Sequence, residues 1–355
     1  MKGDHFMDLA VVSLGLMDPL YTAFGWVMRV LYDVIGNYGL VIVVFTIVLR
    51  GLMIPLGINQ QKSTLKQQAL AGEIAEIKRL YPDDKNKQSE LQMELYKHHG
   101  ASPVAGCLPA IIQLIIIWPI FRIIQAPLKY IMNVPNESLE KIGQYLQQMT
   151  DSSGNALISE SAAKAASTMN IPVLNALEAN ASALAEVVNE GLIRLDQMIN
   201  VDFLGINLGL TPTYKPNLLF GADKWTYLPL LFIPLLVLGT TLIQMKISRL
   251  TMVNRKQKAV ERERDKKNPA RAGQNQQDST ESMMKSMNII MPIFMLWTTF
   301  TFPAAMGLYW IVGNIMMILQ SVIIYFLFTR RLEKTGFNLP DQKTEIKSAQ
   351  TEVAH

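Results

Sequence analysis

Long apolar runs separated by charged or amide-rich stretches set the pattern of this chain. Five runs, residues 38–58, 104–128, 225–245, 286–305 and 306–328, approach or reach the roughly 20 helical residues needed to cross about 30 Å of hydrocarbon. Only the first two hold an internal charge, Arg50 and Arg122. Arg122 lies close enough to one end to snorkel. The last two runs meet through Thr301-Phe302-Pro303, which leaves room only for a tight turn and predicts a helical hairpin. Before the first run, residues 1–37 form an N-terminal segment. Leu9–Leu16 is short for a span and lacks an A-x-A-like cleavage site, so a weak signal sequence stays open. From Pro19 onward Leu20, Phe24, Val27, Leu31 and Val34 recur at helical spacing, with Thr22, Arg29 and Asp33 off the stripe, which predicts an amphipathic helix lying in the outer interface.

The segments between runs differ in character. Residues 59–103 predict a helical hairpin: Leu65, Ala69, Ile74, Ile77 and Leu80 line one helix, Pro82-Asp83-Asp84 breaks it, and Leu91, Leu95 and Tyr96 mark a second. Residues 129–224 form a long insertion rich in Ala, Asn, Ser and Glu, with a helical stretch near Val173–Ile199 and apolar content enough for a small helical cap. Residues 246–285 begin as a basic continuation of the third run and relax into a Gln-, Asn- and Ser-rich stretch, 268–282, expected to be a mobile loop. Residues 329–355 form a tail. The fold class is therefore all-α: a polytopic membrane protein with a five-helix transmembrane core, an outer interfacial helix and a cytoplasmic helical hairpin.

Charge orients this arrangement. Residues 59–103, 246–285 and 329–355 together hold 23 of the 33 Lys and Arg, whereas 130–224 holds five against ten acids. Because basic loops are retained on the cytoplasmic side, the N-terminus is expected outside and the C-terminus inside a bacterial cell membrane, and five spans demand that opposition.

Composition narrows the chemistry. At 17% charged and 50% apolar residues, the chain carries fewer charges than the roughly 25% of soluble domains. One cysteine, Cys107, excludes a disulfide scaffold. The net charge of +4 does not point to DNA. No nucleotide-binding, zinc-protease or serine-hydrolase motif is present, and His5, His98, His99 and His355 have no metal-ligand spacing with the cysteine. No catalytic residue, cofactor or metal is expected. The five runs contain no acid of the kind that relays protons in pumps.

Arg50 is the strongest single feature. It lies twelve residues into the first run, on the order of 12 Å from the cytoplasmic boundary at about 1.5 Å per residue. Facing lipid at the bilayer centre would cost about 2.5–3.5 kcal/mol on insertion scales. Two readings follow: snorkelling to inner headgroups, or a wet cavity inside the bundle where an unneutralised cation attracts anionic groups. Thr46 precedes Arg50 by one turn and shares its face. Gln113, Gln244, Asn314 and Gln320 place amides on other runs, as cavity lining or as interhelical glue. Met284, Met287, Met291 and Met295 make one helical face, read either as core packing or as an adaptable apolar surface.

These residues fall in a recognisable order. Asn37-Tyr38-Gly39 leads into Phe45–Arg50 and Pro55; Gly106-Cys107-Leu108-Pro109 precedes Gln113; Phe203-Leu204-Gly205-Ile206-Asn207-Leu208 precedes the third run; Phe302-Pro303, Gly307-Leu308-Tyr309-Trp310, Asn314 and Gln320 close the set. In this order and spacing the chain resembles the YidC-type membrane protein insertases, in their shorter Gram-positive-like form. It departs from that form in lacking a lipobox cysteine near the N-terminus and in the length of 130–224. The resemblance implies a groove open to cytosol and lipid and closed outside, with Arg50 as its cation, Thr46, Gln113 and Gln244 as polar positions, and Tyr309 and Trp310 as the aromatic pair of the last span. It implies an insertase and chaperone that moves nascent membrane proteins into lipid without nucleotide hydrolysis. Membrane lipids are partners, and the ribosome and the Sec translocon are candidate ones. No feature establishes a dimer, and a monomer is favoured. The alternative is an anion-binding transporter or channel, which would call for broken helices, an inverted repeat or a through-pore.

Overall fold

The computed structural model describes residues 4–60, 70–99, 108–151, 154–251 and 279–329. Within them the chain is mostly helical, and its one sheet is a two-stranded hairpin. Leu65 and Ala69 of the expected hairpin, Cys107, the basic residues 252–267, residues 268–278 of the Gln-, Asn- and Ser-rich stretch 268–282 and the tail beyond 329 lie outside the described residues, whereas residues 279–282, expected in the mobile loop, open a helix.

Helix α1 (Asp4–Ile35) runs back through Pro19, well before the start predicted from the amphipathic stripe. Its Tyr21, Gly25 and Met28 pack inward, and a side chain on Gly25 would meet the Tyr130 carbonyl at 2.5 Å. Helix α2 (Tyr38–Leu52) follows after Gly36 (φ +67°), which ends α1 in the left-handed region. A second helical piece, Ile54–Gln60, departs from α2 by 46°. Pro55 explains this bend: it lacks the N–H that would bond the Gly51 carbonyl, and its ring crowds that turn.

Two helices, α3 (Ala71–Leu80) and α4 (Lys85–His98), form the charged hairpin, separated at Pro82-Asp83-Asp84, with Asp84 capping α4 by accepting from the Lys87 N–H at 2.9 Å. Helix α5 (Leu108–Gln125) ends at Ala126-Pro127. The insertion then folds into α6 (Asn136–Gln148), α7 (Ile171–Ala179) and α8 (Ala181–Asn189), with the hairpin β1 (Asp202–Phe203) and β2 (Ile206–Asn207) at its end. The single helical stretch expected near 173–199 is thus two helices, because Asn180 leaves helical geometry and caps α8 through its side chain, and α8 ends at Asn189. Three long helices complete the fold: α9 (Phe232–Leu250), α10 (Ser279–Thr299) and α11 (Ala304–Ile324).

Helix α11 is the hub, packing along α9 and α2. Gly307 permits the closest approach, since a β-carbon there would lie 2.2 Å from the Ile233 side chain. Helices α10 and α11 do join through a tight turn, yet α10 lies mainly against α9 and meets α11 only slightly. The buried core is one continuous cluster from Val41, Ile42 and Phe45 of α2 through Ile120, Ile123 and Ile124 of α5 to Leu139, Ile142, Leu146, Val173 and Leu177 of the insertion. The insertion is therefore a cap seated on the bundle. Its joint includes buried Asn170, whose side-chain oxygen accepts from the Leu128 N–H at 3.1 Å and whose N–H donates to the Gln125 carbonyl at 3.0 Å.

By length and composition, the stretches Lys224–Ser248 and Ala304–Leu327 are able to cross a membrane, as is α2 with Ile54–Gln60 if that bent pair counts as one span. Ile111–Gln125 and Ile289–Thr299 are shorter apolar helices.

Candidate functional site

Arg50 stands in the last turn of α2, just before the bend, where a cation also complements the partial negative charge of a helix C-terminus. It is only 9% exposed. Its Nη1 donates to the Gln113 side-chain oxygen on α5 at 3.1 Å. Among the described residues no carboxylate pairs with it. Helix α11 supplies the rest of the surroundings. A β-carbon on Gly313 would lie 3.4 Å from Arg50 Nη2 and 3.8 Å from Nε, so the bare backbone of α11 forms one wall. One turn earlier on the same face, the Tyr309 hydroxyl sits beside Arg50 and Gln113. A largely buried cation that meets only neutral dipoles among the described residues attracts an anion that reaches it more strongly than it would in bulk water.

Other expected residues fall at varying distance from this centre. Thr46 is fully buried on the Arg50 face, but its hydroxyl donates to the Ile42 carbonyl of its own helix at 2.6 Å. Gln244 donates to Ser248 at 3.0 Å, also within its own helix. Asn314 bridges helices, donating to Thr240 at 3.1 Å and Thr241 at 2.9 Å on α9. Gln320 lies against Gly57 beyond the α2 bend. Tyr309 and Trp310 are both buried; the Tyr309 hydroxyl faces Gln113 and Arg50, whereas Trp310 Nε1 meets no hydrogen-bond partner among the described residues. A buried donor of this kind is usually satisfied by water or by a partner. Met295 packs half-buried against the core and Met291 is exposed, whereas the side chains of Met284 and Met287 lie outside the described residues.

Gly313 escapes sequence reasoning because a missing side chain leaves no chemical signal. Its place four residues after Tyr309 was the available clue. Thr240 and Thr241 were hidden for a related reason, since hydroxyls in apolar helices are ordinarily satisfied by their own backbone.

At the opposite end of α2 the family-like motifs form a clamp. Asn37 accepts from the Leu40 N–H at 3.1 Å as N-cap and donates to the Asp202 carbonyl at 2.7 Å. The Tyr38 hydroxyl donates to the Ile124 carbonyl at 3.1 Å, satisfying an end group of α5. Gly39 receives the Phe203 ring, which a β-carbon would meet at 2.4 Å. The segment after β2 then accepts from the first N–H groups of α11: Ala304 to Leu210 at 2.8 Å and Ala305 to Leu208 at 3.0 Å. One hairpin thus binds the starts of two core helices.

The sequence profile of the 60Kd inner membrane protein matches residues 30–331, which takes in both the clamp and the Arg50 centre. The chain belongs to this family, the YidC/Oxa1 family. Among its relatives, the membrane protein insertase YidC of Beijerinckia indica is 33% identical over 99 residues, 28% of this chain and 16% of that protein. The YidC of Pseudomonas entomophila is 35% identical over 89 residues, 25% and 16% of the two chains. The YidC of Geobacter sp. is 30% identical over 122 residues, 34% and 22%. The matched stretches therefore span about a fifth or less of these relatives' own lengths. As a member of the YidC/Oxa1 family with several apolar helices, the protein is an inner membrane protein.

Proposed function

We propose that the protein is a membrane protein insertase and chaperone whose clients are nascent membrane proteins. The observation that carries this reading is the nearly buried Arg50, paired with no carboxylate among the described residues, beside Gln113, Tyr309 and Gly313 in a chain of the YidC/Oxa1 family. The core is five spans: α2 with Ile54–Gln60, α5, α9, α10 and α11. The N-terminus lies outside, and the α3–α4 hairpin and the tail lie in the cytoplasm. On this topology the clamp closes the outer end and the Arg50 centre opens inward.

An apolar client segment gains a few tenths of a kcal/mol per Leu or Ile at mid-bilayer. The barrier is the polar flank that must cross hydrocarbon. A hydrated groove admits that flank, and Arg50 attracts its acidic groups transiently. At about 4 Å, an ion pair is worth about 1 kcal/mol in water but about 4 kcal/mol at an effective dielectric near 20. A partly buried cation thus draws an acidic flank inward without holding it irreversibly. The apolar segment then leaves sideways into lipid, past Tyr309, Trp310 and the exposed Ile289, Ile293 and Phe294 of α10. Downhill transfer of this kind consumes no nucleotide. The ribosome approaches through the two basic cytoplasmic segments, and the Sec translocon is a further candidate partner.

The test is insertion into proteoliposomes. With Arg50→Ala, a client carrying an acidic translocated flank is expected to insert at least about tenfold more slowly, corresponding to about 1.4 kcal/mol. Arg50→Lys retains most of the rate, and a client with a neutral flank is little affected. Normal insertion of the acidic client by Arg50→Ala would end the electrostatic reading. Solute flux through the pure protein would instead favour a transporter.

A further inference from the structure

Four large apolar side chains near the clamp are displayed to the surroundings: Leu204 is 86% exposed, Phe220 79%, and Tyr214 and Trp225 75% each. Leu204 is the most telling. It occupies the turn of the β1–β2 hairpin at φ +53°, followed by Gly205 at +76°. Leucine is sterically opposed to the left-handed region, which Gly, Asn and Asp adopt more readily. Its neighbours have reasons inside the molecule: Phe203 fills the space over Gly39, and Leu208 is buried in the core. Leu204 has no such reason and still pays the backbone strain.

All four lie in or beside segments that contact the ends of the long helices. The hairpin is bonded to the N-cap of α2, and the segment just after it to the first residues of α11. The Tyr214 ring lies 5.9 Å from that of Phe300 in the turn between α10 and α11. Phe220 closes the short helix Pro216–Leu219, which packs on Lys224–Tyr227, where the apolar stretch Lys224–Ser248 begins. Further along the same helices, Phe232, Leu235 and Leu236 of α9 and Trp297 of α10 are also exposed apolar side chains. Exposed Lys215 and Lys224 flank the loop residues, and the Lys224 ammonium lies 5.5 Å from the centre of the Trp225 ring. Aromatic rings beside cations at the end of an apolar span are the composition that a membrane–water interface selects.

We infer that these loops form a lipid-binding surface seated in the headgroup layer, with Leu204, Tyr214, Phe220 and Trp225 below the phosphates and Lys215 and Lys224 facing them. The loops 204–205 and 214–225 thereby fix how deep the clamp sits in the bilayer. This rests on reading α9 as a membrane span and is independent of any client path.

Site-directed nitroxide labels test it in the full chain reconstituted in vesicles of phosphatidylglycerol and phosphatidylethanolamine. Cys107→Ser provides the background, and Leu204→Cys, Phe220→Cys, Leu236→Cys and Ser182→Cys the label sites. Labels at 204 and 220 are expected to collide more with oxygen than with a water-soluble nickel chelate, as the label at 236 does, while the label at 182 on the cap shows the reverse. If 236 reports lipid but 204 and 220 match 182, the inference falls and the span reading stands. If 236 also reports water, the span reading itself fails. Dipolar broadening at 204 or 220 that vanishes on dilution with unlabelled protein would assign the surface to a second copy and overturn the lipid assignment. Leu204→Asn tolerates the turn, so it keeps the fold, and it is expected to move the 220 label toward water.

Discussion

The gap that Gly313 leaves beside the Arg50 guanidinium is a condition set by a single atom. A methyl group at 3.4 Å from Nη2 would sit at the near limit of ordinary van der Waals contact. Gly313→Ala is therefore expected to be accepted beside the guanidinium, and the bulkier Gly313→Val to push it off Gln113. The valine variant should lose insertion of acidic-flank clients selectively, with neutral-flank clients as the internal control, whereas a general packing defect would slow both. Gly307→Ala is a different case, because its β-carbon would collide with Ile233 at 2.2 Å. It should cost about 1–3 kcal/mol as an overpacked core does, read as a lower thermal midpoint in detergent with every client affected alike.

Among elements, the β1–β2 hairpin has great reach for its size, since the hairpin and the segment just after it organise the starts of α2 and α11. Asn37 does two tasks there, capping α2 and reaching the Asp202 carbonyl. Asn37→Ala removes both and is expected to destabilise by about 1–2 kcal/mol. Asn37→Asp keeps the acceptor that caps the helix and loses only the donated bond, so it should recover about half of that loss. Thermal unfolding of the two variants side by side separates cap from tether. The α2 bend works at the same scale: Pro55 ends the straight helix just after Arg50 and so places the cation at a helix terminus rather than in mid-helix.

For the whole molecule, the question is how the cap and the bundle act as one body. Their shared buried cluster makes the cap part of the folding unit. Within the cap, a hydrogen bond from Tyr145 of α6 to Glu186 of α8 pushes the tyrosine up from its usual 10 to about 12. The folded state then keeps a proton that the unfolded chain releases above pH 10. Stability from this bond is complete below pH 10 and falls as the pH rises through about 12. The thermal midpoint followed by circular dichroism should drop over that interval, and Tyr145→Phe should flatten its share of the drop. At the same scale, photo-crosslinkers at Thr46, Gln244 and Trp310 should all capture one stalled nascent chain if a single groove serves it. Capture from only one of them would divide the site.

The apolar runs, the charged hairpin with its break at Pro82, and the tight turn at Pro303 were legible in the sequence because each follows from local physics: hydrophobic length, helix capping and the missing N–H of proline. Arg50 was legible too, as a charge where charge is expensive. Tertiary structure alone decided what surrounds it. Gln113 comes from a helix 63 residues away, and Gly313 contributes by being empty, a property visible only once another chain segment occupies the space. The same holds for Gly39 and Phe203, and for Asn314 with its two threonines. Local pattern specifies which segments become helices and what they carry, but the partner of a polar group and the room beside a glycine depend on three-dimensional contacts between distant segments, which no single stretch encodes.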